Sequence, residues 1–518
     1  MNNRGGEGWR RNHLVAKNDY WQREIRYLGE GMFSKPLLKR EKSTVEHQKN
    51  QLLKTKLGRE DLLVRGGKCM SGDHKIIPRW GQPLTGIISL IVFTAVAWVC
   101  WYVFASPKGI FKLYEHPFLV FLAWMILFGL WQHIIFGDWP FQNLKPLTRG
   151  LVMTAVNIAG VYFIIYGVFH NFLGKFMFPF WSPEAMTEVV KKAVESGGFV
   201  PKAFAKAVAG GQWTPTVHEH VYDIAHEFAG SSITMVVLIG FFTYAFWSIL
   251  FQKWPFAGKL SQPALGFAEW SLTTTVTAFF YGLLIFPFFG NVVFGQSFVA
   301  AFPWWNVLDG TPHLNYVVGF YEWAIIYLFF TANIWEGNPW NLVKSQPWRG
   351  IFGFVSIFIM AWATMKLSVW GMELYWGPVD AAAKDGINSL SWRYYNAANL
   401  AGFTLIPFLL WNHYFDNWPK QFGPVVGWIV RTVGVFAFAA LIGKVYYLSS
   451  EPVLGLTSHL GNTGLEGHHP NKPLVWLFWW IIPLLFNDWF MHKAPFYVEE
   501  KAASAVQRGA SQLKTKAS

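Results

Sequence analysis

Asp138-Trp139-Pro140-Phe141, leading to Pro146-Leu147-Thr148-Arg149-Gly150, decides how this chain is read, because the chain says it again and again. Lys253-Trp254-Pro255-Phe256 leads likewise to Pro263-Ala264-Leu265-Gly266, and Asn338-Pro339-Trp340 to Pro347-Trp348-Arg349-Gly350. A fourth copy runs from Asn417-Trp418-Pro419-Lys420 to Pro424-Val425-Val426-Gly427, and half-phrases stand at the ends as Pro83-Leu84-Thr85-Gly86 and Asn487-Asp488-Trp489-Phe490. Such recurrence marks a tandem array of one supersecondary unit.

Each phrase is bounded by apolar runs, and a helix crosses a bilayer with about 20 apolar residues. Ten spans are expected, near 87–105, 117–136, 150–169, 231–251, 267–289, 314–335, 350–371, 396–412, 425–448 and 473–487. The fold class is therefore an all-α integral membrane protein of about ten transmembrane helices, arranged as five tandem hairpins of like orientation. With 53% hydrophobic residues, 30 Trp and only 14% charged residues, a soluble domain is a poor alternative. Trp belongs at the membrane interface and Pro stops a helix, so the Trp-Pro phrase reads first as anchor and stop, ahead of any ligand-binding role.

Three regions follow: a basic N-terminal segment 1–86, a membrane domain 87–487 with a long external loop 170–230, and a tail 488–518. Basic residues recur at the turns (Lys145 and Arg149, Lys253 and Lys259, Lys344 and Arg349, Lys420 and Arg431) and crowd both tails. By the positive-inside rule the turns and both termini are cytoplasmic, in a bacterial inner membrane. The net charge of +13 then serves anionic lipid, and the tails offer surfaces to protein partners. No aromatic platform accompanies the charge, so no nucleic-acid partner is expected. No early apolar stretch suggests a cleavable signal, and residues 18–63 carry a loose helical pattern suited to docking. Cys69 and Cys100 give neither a disulfide framework nor a metal spacing.

Function is sought where the units differ. In the external segment a helix is expected within 182–209, stopped by Gly210-Gly211. The run His218-Glu219-His220-Val221-Tyr222-Asp223-Ile224-Ala225-His226-Glu227 is the densest group of metal-ligating side chains. His218, His220, Asp223 and His226 would suit zinc, copper or non-haem iron. A histidine pH gate and a merely solvated loop are the alternatives. His133 and His413 stand before two of the Trp-Pro phrases, where a haem pair is conceivable, but repetition of the unit explains their match better and haem is not expected.

Within the spans, polar side chains are costly and mark substrate or coupling sites. Glu322 is the deepest acid, Lys366 and Lys444 are its basic counterparts, and Asn157 and Asn399 complete the set. The lysines could instead snorkel to the headgroups, and Glu269 could simply cap its helix. Walker-type loops, dinucleotide fingerprints and nucleophile elbows are missing, which counts against an ATP-driven pump or a flavin enzyme. The leading expectation is a transporter or channel-like carrier of a small solute or ion, with proton coupling as one form of it. A membrane metalloenzyme or respiratory subunit with an external His/Asp site, and a non-catalytic scaffold, are the alternatives.

Overall fold

The computed structural model describes residues 76–106, 108–113, 118–201, 203–294, 310–383, 386–449 and 473–499. The chain divides into two units, Met1–Lys68 and Cys69–Ser518, and every described residue belongs to the second. The N-terminal helical pattern, Cys69, His116, the loop bearing His459, His468 and His469, and the last residues of the tail lie outside the described residues.

Helices make up most of the described chain. In order they are α1 (Leu84–Cys100), α2 (Phe118–Leu130), α3 (Pro146–Tyr162), α4 (Pro183–Ser196), α5 (Pro215–Ile249), α6 (Ala264–Leu284), α7 (Phe286–Phe294), α8 (Gly310–Phe329), α9 (Trp348–Trp376), α10 (Leu390–Leu409), α11 (Pro424–Ser449) and α12 (Pro473–Met491). π-Helical turns prolong α2 to Ile135, α8 to Ile334 and α10 to Tyr414. Among the described residues, seven helices are long and apolar enough to cross a membrane: α1, α2, α3, α5, α8, α9 and α11 with their extensions. Two short strands, β1 (Ile76–Pro78) and β2 (Tyr497–Glu499), pair antiparallel and bring the start of α1 to the end of α12.

α2 packs on α5, α5 on α8, α8 on α10, α10 on α12, and α12 back on α2, which closes a ring of five inner helices. The other five long helices lie outside it: α3 against α12 and α2, α6 against α5 and the end of α2, α9 against α8, α11 against α10, and α1 against α12 and the end of α10. Exposure follows this division. Large apolar side chains are open to the surroundings along the outer helices, for example Ile91 and Val99 on α1, Leu151 on α3, Ile359 and Leu374 on α9 and Val433 on α11. Inner helices are covered on most faces, apart from the first turns of α5. Apolar side chains that need no burial against protein are those a bilayer can solvate, so the outer stripe supplies the lipid-facing surface.

The turns explain the repeated phrase. In each, a backbone N–H reaches back six residues: Asp138 to Gln132 O (2.8 Å), Lys253 to Trp247 O (3.2 Å), Gly337 to Thr331 O (2.8 Å), Asn417 to Trp411 O (3.0 Å) and Lys493 to Asn487 O (2.9 Å). Such bonds satisfy carbonyls that a helix end leaves unpaired. A fifth full turn is therefore present, at Met491-His492-Lys493-Ala494-Pro495, directly after the half-phrase that starts at Asn487. It escapes notice in sequence because Ala494 stands where the other copies have Trp or Asn.

Every outer helix then clamps a neighbouring turn. Gln82 Nε2 donates to Tyr414 O (2.7 Å), Arg149 Nε to Phe490 O (2.8 Å), Gln262 Nε2 to Ile135 O (2.8 Å), Gln346 Nε2 to Leu250 O (2.7 Å) and Arg431 Nη1 to Ile334 O (2.9 Å). The glycines of the phrase make the close approach. A Cβ on Gly86, Gly150, Gly266 or Gly350 would run into Phe415, Met491, Phe136 or Phe251 respectively.

The stretch 170–230, expected to be an external loop, is largely helical. Helical turns carry α3 on to Phe176, and α5 begins at Pro215 as one continuous helix. Thr214 caps α5 by accepting the Val217 N–H, and Pro215 fits its first turn. Between them α4 starts at its cap Ser182 and stops at Gly197, whose φ of 65° ends the helix well before Gly210-Gly211.

Candidate functional site: the interior and ends of the helix ring

Glu322 sits on inner helix α8, 8% exposed, with Oε2 enclosed and lacking a hydrogen-bond partner. Its direction follows from its neighbours. Phe320 packs on Phe358 of outer helix α9, and Tyr327 hydrogen-bonds Thr364 of the same helix. Both lie roughly half a turn around α8 from Glu322. Phe329, two turns further on and on the Glu322 face, touches Phe241 of α5 and Phe408 of α10, the two ring neighbours. The Glu322 face is thus turned away from the outer shell and toward the ring interior, with Phe241, Phe329 and Phe408 below it toward the turns.

The other interior candidates do not join it. Lys366 on α9 and Lys444 on α11 are exposed on outer helices, and among the described residues neither forms an ion pair. Asn157 is fully buried on α3, where Nδ2 donates to Met125 O and to Gln132 Oε1 at 3.0 Å each, tying α3 to α2. Asn399 is buried on α10, and its Nδ2 has no hydrogen-bond partner. Glu269 is an ion-pair partner and not a cap: Lys253 Nζ lies 3.1 Å from its Oε2, while Ser248 donates to Oε1.

The expected metal ligands also remain apart. His218, His220 and Asp223 are exposed on α5 and His226 is half-buried, and among the described residues no group of three or more His, Cys, Asp or Glu side chains could hold a metal ion. His226 instead faces the buried His170 of α3, ring centres 6.2 Å apart. Nearby, Tyr222 donates to Glu184 at the start of α4 (3.4 Å).

A richer cluster stands at the turn end of the ring, where α2, α10 and α12 finish side by side. His133 Nδ1 and Asp138 Oδ1 are 2.8 Å apart, and Arg149 Nη1 is 3.5 Å from Asp138 Oδ2. His413 Nδ1 and Asp488 Oδ2 are likewise 2.8 Å apart, with Lys493 Nζ at 3.6 Å from Oδ1. The His133 ring stacks on Trp489. His492 completes the group, and burial, with Arg149 beside it, pushes its imidazole down to about 4. Sequence reading noticed His133 and His413 but gave them no partner. The signal was there for one of them, since Asp138 follows His133 by five residues across the turn, whereas Asp488 comes from another hairpin.

Away from the ring interior, an apolar cavity of about 240 Å³ opens between α5, α6 and α9, walled by rings such as Phe242, Phe246, Phe280 and Phe354. It offers no ionisable group. No protein-family model matches the chain, and no curated protein or solved structure is significantly similar to it.

Proposed function

We propose that the chain is a transporter or channel-like carrier whose solute path runs through the ring of inner helices. The path would be built by five hairpins of like orientation, ten crossings in all, with the turns and both termini on the cytoplasmic side. Exposed Lys145, Lys259, Lys344 and Lys420 at the turns favour that orientation.

One observation carries the reading: Glu322, a buried acid without a counter-charge, on the ring-facing side of an inner helix. On insertion scales an acid at the centre of a membrane helix costs about 2.5–3.5 kcal/mol, and a scaffold gains nothing by keeping it unpaired. A metal-dependent enzyme would need a convergent ligand set, and the described residues supply none. Purified protein in liposomes should pass a small solute that empty liposomes exclude. Glu322→Gln should stop that flux while leaving the melting temperature unchanged or higher. Equal flux through wild type and variant would remove Glu322 from the path.

A further inference from the structure

We infer that the charge handled at Glu322 is the proton, and not a metal cation, an anion or a zwitterion; the inference rests on the reading of the ring as a solute path. Along the bodies of the five inner helices, Glu322 is the single acid or base between the two ends. α2 has none before His133, α5 none after Glu227, α8 none besides Glu322 after His313, α10 none between Arg393 and His413 and α12 none before Asp488. Arg393 is itself committed, since its guanidinium donates to Met372 O and Gly377 O and lies over Trp376 and Trp392. Of the phenols nearest in sequence, Tyr321 packs between Phe242 of α5 and Phe358 of α9, and Tyr327 bonds Thr364 of α9.

Coordination chemistry decides among the ions. A calcium or magnesium ion needs six or more oxygens and a transition metal about four donors, whereas this level of the ring brings one carboxyl. An anion or the carboxylate of a zwitterion needs a positive partner, and Lys366 and Lys444 are exposed on outer helices. A proton needs one oxygen. It is the cation that a lone carboxylate oxygen binds covalently, as an O–H bond, with no further donors.

The step balances simply. Hydronium on one side gives its proton to a Glu322 carboxylate oxygen and leaves as water. On the other side the O–H bond breaks, its electron pair stays on the carboxylate, and a water takes the proton. Both ends carry groups able to exchange it: His170, His226 and Glu184 at one, and the His133–Asp138 and His413–Asp488 pairs at the other. Between Glu322 and the turns, Phe329 packs on Phe241 and Phe408.

The test is the full chain in liposomes holding a pH dye, with a potassium diffusion potential set by valinomycin, and with sodium, chloride and glycine followed in parallel. The expected result is proton uptake into wild-type vesicles that falls to the level of empty vesicles in Glu322→Gln and is partly kept in Glu322→Asp. Sodium, chloride or glycine passing without proton movement would sink this inference and leave the solute path standing. No flux of any probe would sink both. Should Glu322→Gln not fold, carbodiimide labelling of the unmodified protein decides: a label mapped to Glu322 that blocks proton uptake supports the inference, and uptake unaffected by that label overturns it.

Discussion

Arg431 of α11 and Ile334 at the end of α8 are joined by a 2.9 Å hydrogen bond from Nη1 to the carbonyl oxygen, and the same nitrogen lies 2.9 Å from Glu336 Oε1. The guanidinium is buried although the chain places it where a basic residue would ordinarily be taken as a mark of the cytoplasmic face. It holds a helix end that has run out of partners of its own.

Replacing Arg431 by Met keeps the bulk of the side chain and removes both bonds. The Ile334 carbonyl would be left enclosed without its donor, at a cost of about 1–3 kcal/mol. Thermal unfolding in detergent should show the loss, and it should be larger than for Glu336→Gln, because Glu336 is half exposed and water replaces its partner. Equal losses for the two variants would mean that the ion pair, and not the carbonyl clamp, matters.

Gly266 at the start of α6 lies under the Phe136 ring, with the nearest ring carbon 2.5 Å from where a Cβ would stand. Gly266→Ala should destabilise by about 1–3 kcal/mol through overpacking. Adding Phe136→Leu makes room, so the double variant should be less impaired than the sum of the two single changes. Strict additivity of the melting shifts would show that the two residues do not meet.

How far sequence reaches is visible in these residues. The Trp-Pro phrase locates the turns, because Pro and a preceding helix end constrain the chain locally. What the phrase does not reveal is that the turns are locked by residues far away in sequence, as Tyr414 is by Gln82 and Phe490 by Arg149. Ring closure is a tertiary property with no local signature. For the same reason Glu322 and Lys366 look like partners along the chain, yet one stands on an inner helix and the other on the outside of its neighbour. The histidine run 218–227 attracts attention by density alone. On α5, His218 and His220 are two residues apart and so project about 200° apart, while the contact His226 makes is with His170.

Lys366 and Lys444 give a control for the path. Both face outward, where a long aliphatic stem can carry the ammonium to the headgroups. Lys366→Gln and Lys444→Gln should change stability by no more than about 0.5 kcal/mol and leave flux in liposomes at the wild-type rate. Loss of flux in either would place a lysine in the path after all.

His492 ties stability to pH at the turn end. Its neighbours are Arg149, Asp138, His133 and Asp488, and its imidazole titrates near 4 in the fold against an ordinary value near 6.5. The folded protein therefore holds His492 neutral, and between those two values the unfolded chain binds more protons than the folded one. The stabilisation is full above about pH 6.5 and is lost as pH falls toward 4. Melting temperatures of wild type should fall across that window. His492→Asn cannot take up the proton, so its curve should fall less steeply, with the carboxylates around it contributing equally to both proteins. The difference between the two curves is the quantity to read, and parallel curves from pH 7 down to 4 would show that His492 is solvated in the fold and plays no part in acid sensitivity.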